Sequence, residues 1–452
     1  MSKVGIVADD VTGATTVGAL IAREGIEATV LFNHRSLEAD AVGHEEVLIT
    51  STDSRSMEPE VAFGRVRRAT EALKRLGAAQ FSKRIDTTCR GGIGPEVEGM
   101  LTALGDDYMA LIVPAMPQSK RIVVDGYSLI DSVLLAETAV AQDVRTPVVE
   151  SHLPTLFASQ FSLPLGHVAL RDIRQGHEVI AARLTQLRDA GNRAIILDAV
   201  TLDHVDEIAQ AAANLRWHVV CVDPGPFTQR YAIRSGQLTP QAIPDRALRL
   251  DSLDDDEGTV LVVAGSATGV THQQITELCG LPGTVPVATL PAELVADDPR
   301  FESECQRVLI EFRRVLDERP PRVLVLALEN VLTGAKASVE DLEASSGLAG
   351  QRAASLLTHR FGLLARRVAD ALAPERCTGI YLTGGDVMIN ACHALGAKGL
   401  TLVDYVIPQI DQARITGGPF DGVPVVCKGG LTGTTQTAIA SVNRLFDERK
   451  TQ

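Results

Sequence analysis

The chain has 452 residues, of which 45% are hydrophobic and 22% are charged, and its formal net charge is −14. This length exceeds what one hydrophobic core usually serves, so we expect two domains. The acidic balance argues against general binding to nucleic acids or to anionic membranes, although local basic pockets are compatible with it.

The sequence shows neither a signal peptide nor a membrane-spanning segment. Its first apolar run, Val4–Ala8, is too short for a signal peptide, and no run approaches the roughly 18 apolar residues that a spanning helix needs. The seven cysteines are scattered, without a CxxC pair or a Cys/His spacing typical of zinc sites. We therefore expect a cytoplasmic protein with reduced thiols.

The first predicted strand, Val4–Ala8, ends in two carboxylates. Asp9 and Asp10 follow it directly, and apolar residues at helical spacing come next. Carboxylates at the end of a first strand lie where open α/β sheets bind ligands. Asp10 or Thr12 could equally cap the helix that follows, so both interpretations stay open.

The next predicted strands, Glu27–Phe32 and Val47–Ser51, lead to an arginine. Arg55 comes shortly after the second of them, and a guanidinium at a strand end can hold a carboxylate through two parallel hydrogen bonds. A helix over Pro59–Leu76 and a strand over Tyr108–Val113 continue the alternation. This alternation predicts a layered α/β domain.

Between those two elements lies the stretch Lys83–Glu96, which reads KRIDTTCRGGIGPE. Its first eight residues bring together three cations, one carboxylate and two hydroxyls, and its glycines let the backbone turn tightly before a helix that we expect to open at Pro95 and Glu96. Such a stretch suits a small, hydroxylated anion, although a solvated surface turn remains the alternative. The side chains concerned are Lys83, Arg84, Asp86, Thr87, Thr88 and Arg90.

The middle of the chain contains the predicted domain boundary. Further elements are expected at Val168–Leu170 (strand) and His177–Ala190 (helix). The polar, acidic stretch Leu248–Gly258 suits a linker. We therefore predict an N-terminal domain over residues 1–235 and a C-terminal domain over residues 258–450.

The C-terminal half contains three glycine-rich corners, each directly after an apolar run. Gly265-Ser266 follows Val260–Ala264, Gly384-Gly385-Asp386 follows a strand ending near Thr383, and Lys428-Gly429-Gly430 follows the run that begins at Val425. One such corner is a weak signal, but three in one domain favour a nucleotide site. Asp386 could ligate Mg²⁺ or simply cap a helix.

The chain has no Walker loop and lacks the protein-kinase motifs, so the residues alone predict only a phosphorylated or nucleotide ligand. The ordered segments VADDVTGA, STDSR, KRIDTTCRGGIG, VPAMPQSKR, GSATGVTHQQI, TGGDV and CKGGLTG go further, because together they resemble the four-carbon acid sugar kinases. The resemblance implies two layered α/β domains with largely parallel sheets and a ligand cleft between them.

By this resemblance, the N-terminal domain binds the sugar acid and the C-terminal domain binds ATP. The substrate-binding residues would be Asp10, Arg55, Lys83, Arg84, Ile85, Asp86, Thr87 and Arg90, and the nucleotide-binding residues would be Ser266, Gly384, Gly385, Asp386, Val387 and Gly429. The chain departs from the family pattern at Cys89, at Gly92, at Val387 (where Thr is usual) and in its KGGLTG segment.

The predicted activity is therefore transfer of a phosphoryl group from Mg-ATP to the terminal hydroxyl of an acid such as D-threonate or D-erythronate. Asp10 or Asp86 would orient or deprotonate that hydroxyl, and the sequence does not rank the two. The alternatives are a 3-oxo-tetronate kinase and a sugar-acid sensor that has lost catalysis. A homodimer is left open, and no nucleic-acid or membrane partner is expected.

Overall fold

The computed structural model describes residues 3–32, 45–143, 145–242, 248–250, 253, 258–318, 320–335, 338–372 and 376–450. The chain divides into two compact units, Met1–Ile243 and Pro244–Gln452. Each unit carries helices packed on a largely parallel sheet, so the prediction of two layered α/β domains is confirmed. The predicted limits 1–235 and 258–450 remain predictions, and much of the proposed linker Leu248–Gly258 lies outside the described residues.

The first unit alternates strands with helices from its first element onward. Its elements are β1 (Lys3–Ala8), α1 (Val11–Ala22), β2 (Ala28–Leu31), β3 (Val47–Ser51), α2 (Pro59–Arg75), β4 (Ala78–Arg84), α3 (Ile93–Leu104), β5 (Tyr108–Ile112), β6 (Arg121–Val124), β7 (Tyr127–Ile130), β8 (Val133–Leu134), α4 (Leu153–Ala158), β9 (Leu165–Val168), α5 (Leu170–Ile173), α6 (His177–Asp189), β10 (Ala194–Leu197), α7 (Leu202–Leu215), β11 (His218–Asp223) and α8 (Pro226–Arg234).

The main sheet of the first unit has the order β2-β3-β1-β4-β11-β5-β10-β9, and every pairing in it is parallel. Its strands are short apolar runs buried on both faces, as parallel strands covered by helices must be. Because β3, β1 and β4 are neighbours, the residues that follow them emerge at one edge of the sheet. Strands β6, β7 and β8 form a separate antiparallel sheet.

The second unit is built in the same way, with an antiparallel extension. Its elements are β12 (Thr259–Ala264), α9 (Gly269–Cys279), β13 (Thr284–Thr289), α10 (Pro291–Val295), α11 (Asp298–Glu318), β14 (Val323–Leu328), α12 (Glu329–Thr333), α13 (Val339–Ser346), α14 (Gly350–Leu372), β15 (Cys377–Thr383), α15 (Gly385–Ala394), β16 (Gly399–Ile407), β17 (Ile410–Thr416), β18 (Pro424–Lys428) and α16 (Thr437–Lys450).

In the second unit the strand order is β13-β14-β12-β15-β18-β17-β16. The first five strands pair in parallel, whereas β17 pairs antiparallel with both β18 and β16. The chain runs from β12 to β13 and β14 on one side and then crosses to β15 on the other. This reversal beside β12 is a topological switch point, where open α/β sheets bind their ligands at the carboxyl edge.

Two predicted elements begin elsewhere than expected. The strand expected at Val168–Leu170 occupies Leu165–Val168, and Leu170 already begins α5. Helix α3 begins at Ile93 rather than at Pro95, because a proline is tolerated within the first helical turn, where its missing N–H has no partner to lose. Within the part of the chain that the structure describes, no helix is both long and apolar enough to cross a membrane.

Candidate active site

The first unit concentrates charged side chains at the carboxyl ends of three neighbouring strands. Asp9 and Asp10 follow β1, Arg55 comes four residues after the end of β3, and Arg84 is the last residue of β4. The register aligns these strand ends, since Ala8 pairs with Ser51 on one side and with Arg84 on the other. Side chains that are far apart in the sequence therefore meet at one edge of the sheet.

Arg55 lies at the centre of this cluster. Its Nε donates to Asp9 Oδ2 at 2.7 Å, its Nη1 lies 2.8 Å from Asp10 Oδ2, and its Nη2 lies 3.8 Å from Asp86 Oδ1. The Arg55 side chain is 18% exposed, so one face of the guanidinium still reaches solvent. The strong contacts with two carboxylates fix its plane, while the longer third contact leaves Nη2 able to donate to a ligand.

Asp10 has two tasks in this arrangement. Its Oδ1 accepts from the backbone N–H of Gly13 at 2.7 Å as the N-cap of α1, and also lies 3.3 Å from Arg84 Nη1. The two interpretations that the sequence left open, helix cap and site residue, thus hold for the same side chain. Burial raises the pKa of the Asp10 carboxyl, and the carboxylates of Asp9 and Asp86 add to this against the opposing effect of Arg55.

Asp86 is held more tightly and by more partners. Arg90 Nε donates to its Oδ2 at 2.7 Å, the hydroxyl of Thr88 donates to the same oxygen, and Arg90 in turn reaches Asp143 at 3.1 Å. Burial would raise the pKa of the Asp86 carboxyl, but Arg55 and Arg90 outweigh it and lower that pKa. Asp86 is therefore a permanently charged acceptor that orders the arginines around it.

Two of the predicted substrate-binding side chains, Lys83 and Ile85, are buried, although the charge of Lys83 helps to lower the pKa of Asp9. Lys83 is fully buried, with its Nζ 2.9 Å from Glu96 and 2.7 Å from the carbonyl of Arg84. The side chain of Ile85 is 1% exposed and packs in the hydrophobic core. Strand alternation places Lys83 and Ile85 on the same side of the chain as the buried Phe81, and their contact with substrate stays a prediction. Thr87 is half-buried.

In the second unit the three predicted glycine corners follow neighbouring strands. Strands β12, β15 and β18 lie side by side, and the N–H of Gly384 donates to the carbonyl of Lys428 at 2.9 Å. A Cβ at Gly430 would lie 2.3 Å from Ser266 Oγ, and Gly384 has a φ of +104° with a Cβ position 3.3 Å from Ser266 Cβ. These glycines are therefore required for the close approach of the three corners.

The loop after β18 is held by polar side chains of α9 and by Lys428. Thr268 and Thr271 donate to the carbonyl of Gly430 at 2.7 and 3.1 Å, and Gln274 donates to the carbonyl of Thr434 at 2.8 Å. Lys428 is 2% exposed, and its Nζ donates to the carbonyl of Gly429 at 2.8 Å. Burial lowers the pKa of Lys428 to about 8.

Asp386 and Val387 occupy different environments although they are neighbours. The Asp386 side chain is exposed in the first turn of α15, beside the Gly384-Gly385 corner. Val387 is 2% exposed and packs beneath Gly265, where an added Cβ would lie 2.5 Å from Val387 Cγ2. Its side chain therefore shapes the corner from inside, and contact between the Gly384–Val387 segment and the nucleotide stays a prediction. Among the described residues no group of three His, Cys, Asp or Glu side chains could hold a metal ion.

Sequence reasoning missed several participants. Glu96 and Asp143 complete the charge network of the first unit, and Thr268 and Thr271 anchor the loop of the second. The sequence did contain a signal for a partner of Lys83. Lys83 alternates with the apolar residues Phe81 and Ile85, so its ammonium is expected to be buried and to need a carboxylate, which Glu96 supplies. Asp143 lies 53 residues from Arg90, and no local pattern links the two.

Comparison with known proteins agrees with this division of the chain. Residues 4–231 match the model of a sugar-binding N-terminal domain, and residues 261–438 match that of a nucleotide-binding C-terminal domain. A D-erythronate kinase of Heliobacterium modesticaldum is 33% identical over 99% of this chain and 98% of its own length.

Further relatives carry related names. A D-threonate kinase of Salmonella typhimurium is 29% identical over 96% of both chains, and a 3-oxo-tetronate kinase of Brucella melitensis is 25% identical over 96% of this chain and 93% of its own. Crystal structures of proteins from Salmonella typhimurium and Haemophilus influenzae superpose with TM-scores of 0.79 and 0.72, at 21% and 20% identity. They cover 97% and 98% of this chain, and 98% and 99% of their own, and share its fold.

Proposed function

Because this chain belongs to the four-carbon acid sugar kinases, we propose that it uses ATP to phosphorylate the terminal hydroxyl of a four-carbon sugar acid. D-erythronate ranks first and D-threonate second, since the erythronate kinase compared above shares 33% of its residues with this chain and the threonate kinase 29%. The observation that carries the proposal is the arginine–carboxylate cluster of Arg55, Asp10 and Asp86 at three adjoining strand ends.

The cluster suits a small acid because it offers oriented cations near a carboxylate of raised pKa. Arg55 and Arg90 are 18% and 29% exposed, and each guanidinium is already oriented by buried carboxylates. Donors held in this way bind a carboxylate with little loss of side-chain entropy. We assign the substrate carboxylate to these two arginines, and Arg84, which is only 6% exposed, to the positioning of Asp9 and Asp10.

Asp10 is the better candidate for the general base. It is 28% exposed, and its raised pKa makes it a stronger proton acceptor than Asp86, whose pKa Arg55 and Arg90 lower. A hydroxyl that donates to Asp10 while the acid group lies on Arg55 is held in one orientation for attack. Phosphoryl transfer depends mainly on such positioning and on neutralising charge.

The second unit supplies the features that a nucleotide phosphate chain needs. Gly384, Gly430 and Ser266 leave a cradle into which no added Cβ would fit, and Lys428 contributes a cation beneath it. A single exposed carboxylate, Asp386, fits a magnesium ion whose other ligands are phosphate oxygens and water. When bound, Mg²⁺ would neutralise phosphate charge, and Asp386 would hold it at the first turn of α15.

The proposal is tested by ADP release from Mg-ATP with a panel of D-erythronate, D-threonate, their L-isomers and the 3-oxo-tetronates. We expect saturable turnover with one of the two D-acids, and its loss in Asp10→Asn but not in Asp107→Asn, a matched change at an exposed loop position. Turnover only with an oxo acid would support the alternative substrate class. ATP binding without turnover on any acid would contradict a kinase acting on these acids.

A further inference from the structure

The second unit has a cavity of about 220 Å³ at the carboxyl edge of its sheet, one strand away from the glycine corners. Pro291 of α10, Asn330 of α12, Leu342 of α13 and Leu357 of α14 line it. Complete drug-sized ligands occupy pockets of roughly 300–1,000 Å³, so a cavity of this size suits one ring system of a larger ligand. Its walls are mostly apolar, as for a flat heterocycle.

The position of the cavity connects it to the phosphate cradle. It lies at the end of β14, and β14 pairs with β12, so that Ala327 lies opposite Ala264 immediately before the Gly265-Ser266 corner. His272 of α9 contacts the carbonyl of Val331 in α12 at 2.8 Å, which fixes the wall of the cavity to the helix that follows the corner. Neighbouring strands are about 4.8 Å apart, which is within the reach of one nucleotide.

One polar group inside this apolar wall lacks a partner. The side-chain oxygen of Asn330 is buried and accepts no hydrogen bond within the described part of the chain. A buried acceptor without a donor costs about 1–3 kcal/mol, so a rotation of the Asn330 amide that brings this oxygen to a donor in the cavity would be favourable. An asparagine amide has the donor and acceptor spacing to pair with the N6 amino group and N7 of adenine at once.

The rim of the cavity sets the direction of the ligand. Glu329 and Asp341 line the cavity and are exposed, so we take them as its solvent-facing rim. They repel phosphates but accept hydrogen bonds from the hydroxyls of a ribose. A nucleotide whose base enters the cavity would therefore point its phosphates away from this rim, and the glycine corners beside β12 are the anion-compatible region that the same sheet edge provides.

We propose that this cavity is the subsite for the nucleotide base and that Asn330 selects adenine. This inference rests on the proposed use of ATP and names the part of the unit that recognises its base. It makes Asn330 a specificity-determining residue that contacts the donor nucleotide. Base selection therefore depends on a site separate from the glycines that hold the phosphates.

The test compares the binding of ADP and IDP by calorimetry, because IDP has an oxygen in place of the 6-amino group. The wild-type protein should prefer ADP by about 5- to 150-fold, the range of one bidentate amide–base pair. Asn330→Ala should bring the two affinities to within about twofold by weakening ADP, and Asn214→Ala, an exposed asparagine of α7 in the other unit, should leave the preference unchanged.

A second variant separates the base from the phosphates. Ala292→Phe, at another lining position, should fill the cavity and abolish ADP binding while inorganic tripolyphosphate still binds with unchanged affinity, which also shows that the unit is folded. An unchanged preference for ADP in Asn330→Ala, or normal ADP binding in Ala292→Phe, would overturn the inference and leave the proposed kinase intact. If the wild-type protein binds neither ADP nor tripolyphosphate, the proposed function fails as well.

Discussion

Arg55 and Asp10 are joined across two neighbouring strand ends, with Arg55 Nη1 2.8 Å from Asp10 Oδ2. Asp10 follows β1 and Arg55 follows β3, so the pair forms only when these parallel strands are aligned as they are here. The other carboxylate oxygen of Asp10 caps α1. The position of the proposed base is thus fixed by a strand register, a helix terminus and a guanidinium at the same time.

We predict that Asp10→Asn lowers kcat by about 10²- to 10⁴-fold, the usual contribution of a general base. Asparagine is as good an N-cap as aspartate, so the free energy of unfolding should change by less than about 1 kcal/mol. Steady-state kinetics and urea unfolding of the same preparation measure both quantities. A loss of stability that matches the loss of activity would assign Asp10 a structural role.

Asp86→Asn, unlike Asp10→Asn, should reduce the stability of the protein more than its kcat. Removing the charge weakens the hydrogen bonds from Arg90 and Thr88 in a nearly buried setting, and we expect a loss of about 2 kcal/mol in the free energy of unfolding. The KM for the acid should rise because Arg90 is no longer held in place, while kcat falls less than in Asp10→Asn. Equal losses of kcat in Asp10→Asn and Asp86→Asn would contradict the assignment of the general base to Asp10.

The buried ion pair of Lys83 and Glu96 can be tested for its contribution to the stability of the first unit. Glu96→Gln leaves a buried ammonium without its carboxylate, and we expect about 3–5 kcal/mol of destabilisation in chemical unfolding. The double variant Lys83→Met with Glu96→Leu removes both charges and should recover most of that loss. If Glu96→Gln keeps near wild-type stability but fails to bind the acid, that result would support the prediction that Lys83 contacts the substrate.

Gly430→Ala should damage nucleotide binding selectively. The added Cβ would lie 2.3 Å from Ser266 Oγ, so the corner after β18 must move away from the corner after β12. We expect the KM for ATP to rise at least about tenfold while the KM for the acid is unchanged. Gly280→Ala is the matched control, because its Cβ would have only ordinary contacts, at 3.4 Å and beyond. Equal increases in the KM for ATP in Gly430→Ala and Gly280→Ala would contradict the proposal that this corner holds the phosphates.

The lowered pKa of Lys428 leads us to predict that nucleotide binding depends on pH. Burial lowers its pKa from an ordinary 10.5 to about 8, and phosphates nearby would raise that pKa again. Binding should therefore take up protons near pH 8, and ADP affinity should fall as the pH rises through 8, by up to about tenfold per pH unit. Calorimetry in buffers of different ionisation enthalpy measures the uptake. Lys428→Met should remove it, and an uptake that persists in this variant would assign the proton to another group.

The sequence was sufficient for features that are local in the chain. Apolar runs that end in glycines or carboxylates identified the strand ends of both units, because a parallel strand buried on two faces has few alternatives. Strand alternation also indicates that Lys83, which lies between the buried Phe81 and Ile85, is itself buried. The burial of the Val387 side chain against Gly265 depends on a contact between residues far apart in the sequence, which no local pattern predicts.

Contacts between distant segments could not be predicted in the same way. Asp143 reaches Arg90 from 53 residues away, and Thr268 reaches Gly430 across 162 residues. Such pairs follow from strand order and from which neighbours meet at the carboxyl edge. The ranking of Asp10 over Asp86 has the same origin, since it depends on which charged side chains the fold brings to each carboxylate and so on the pKa of each.

The position of the transferred phosphoryl group on the product tests the central claim most directly. The protein would be incubated with Mg-ATP and the best acid of the panel, and the product examined by phosphorus NMR with proton coupling. We predict a phosphate ester on the terminal carbon, formed in equal amount with ADP and absent with Asp10→Asn. Release of inorganic phosphate alone, or an ester at an internal hydroxyl, would contradict a kinase that orients the terminal hydroxyl on Asp10.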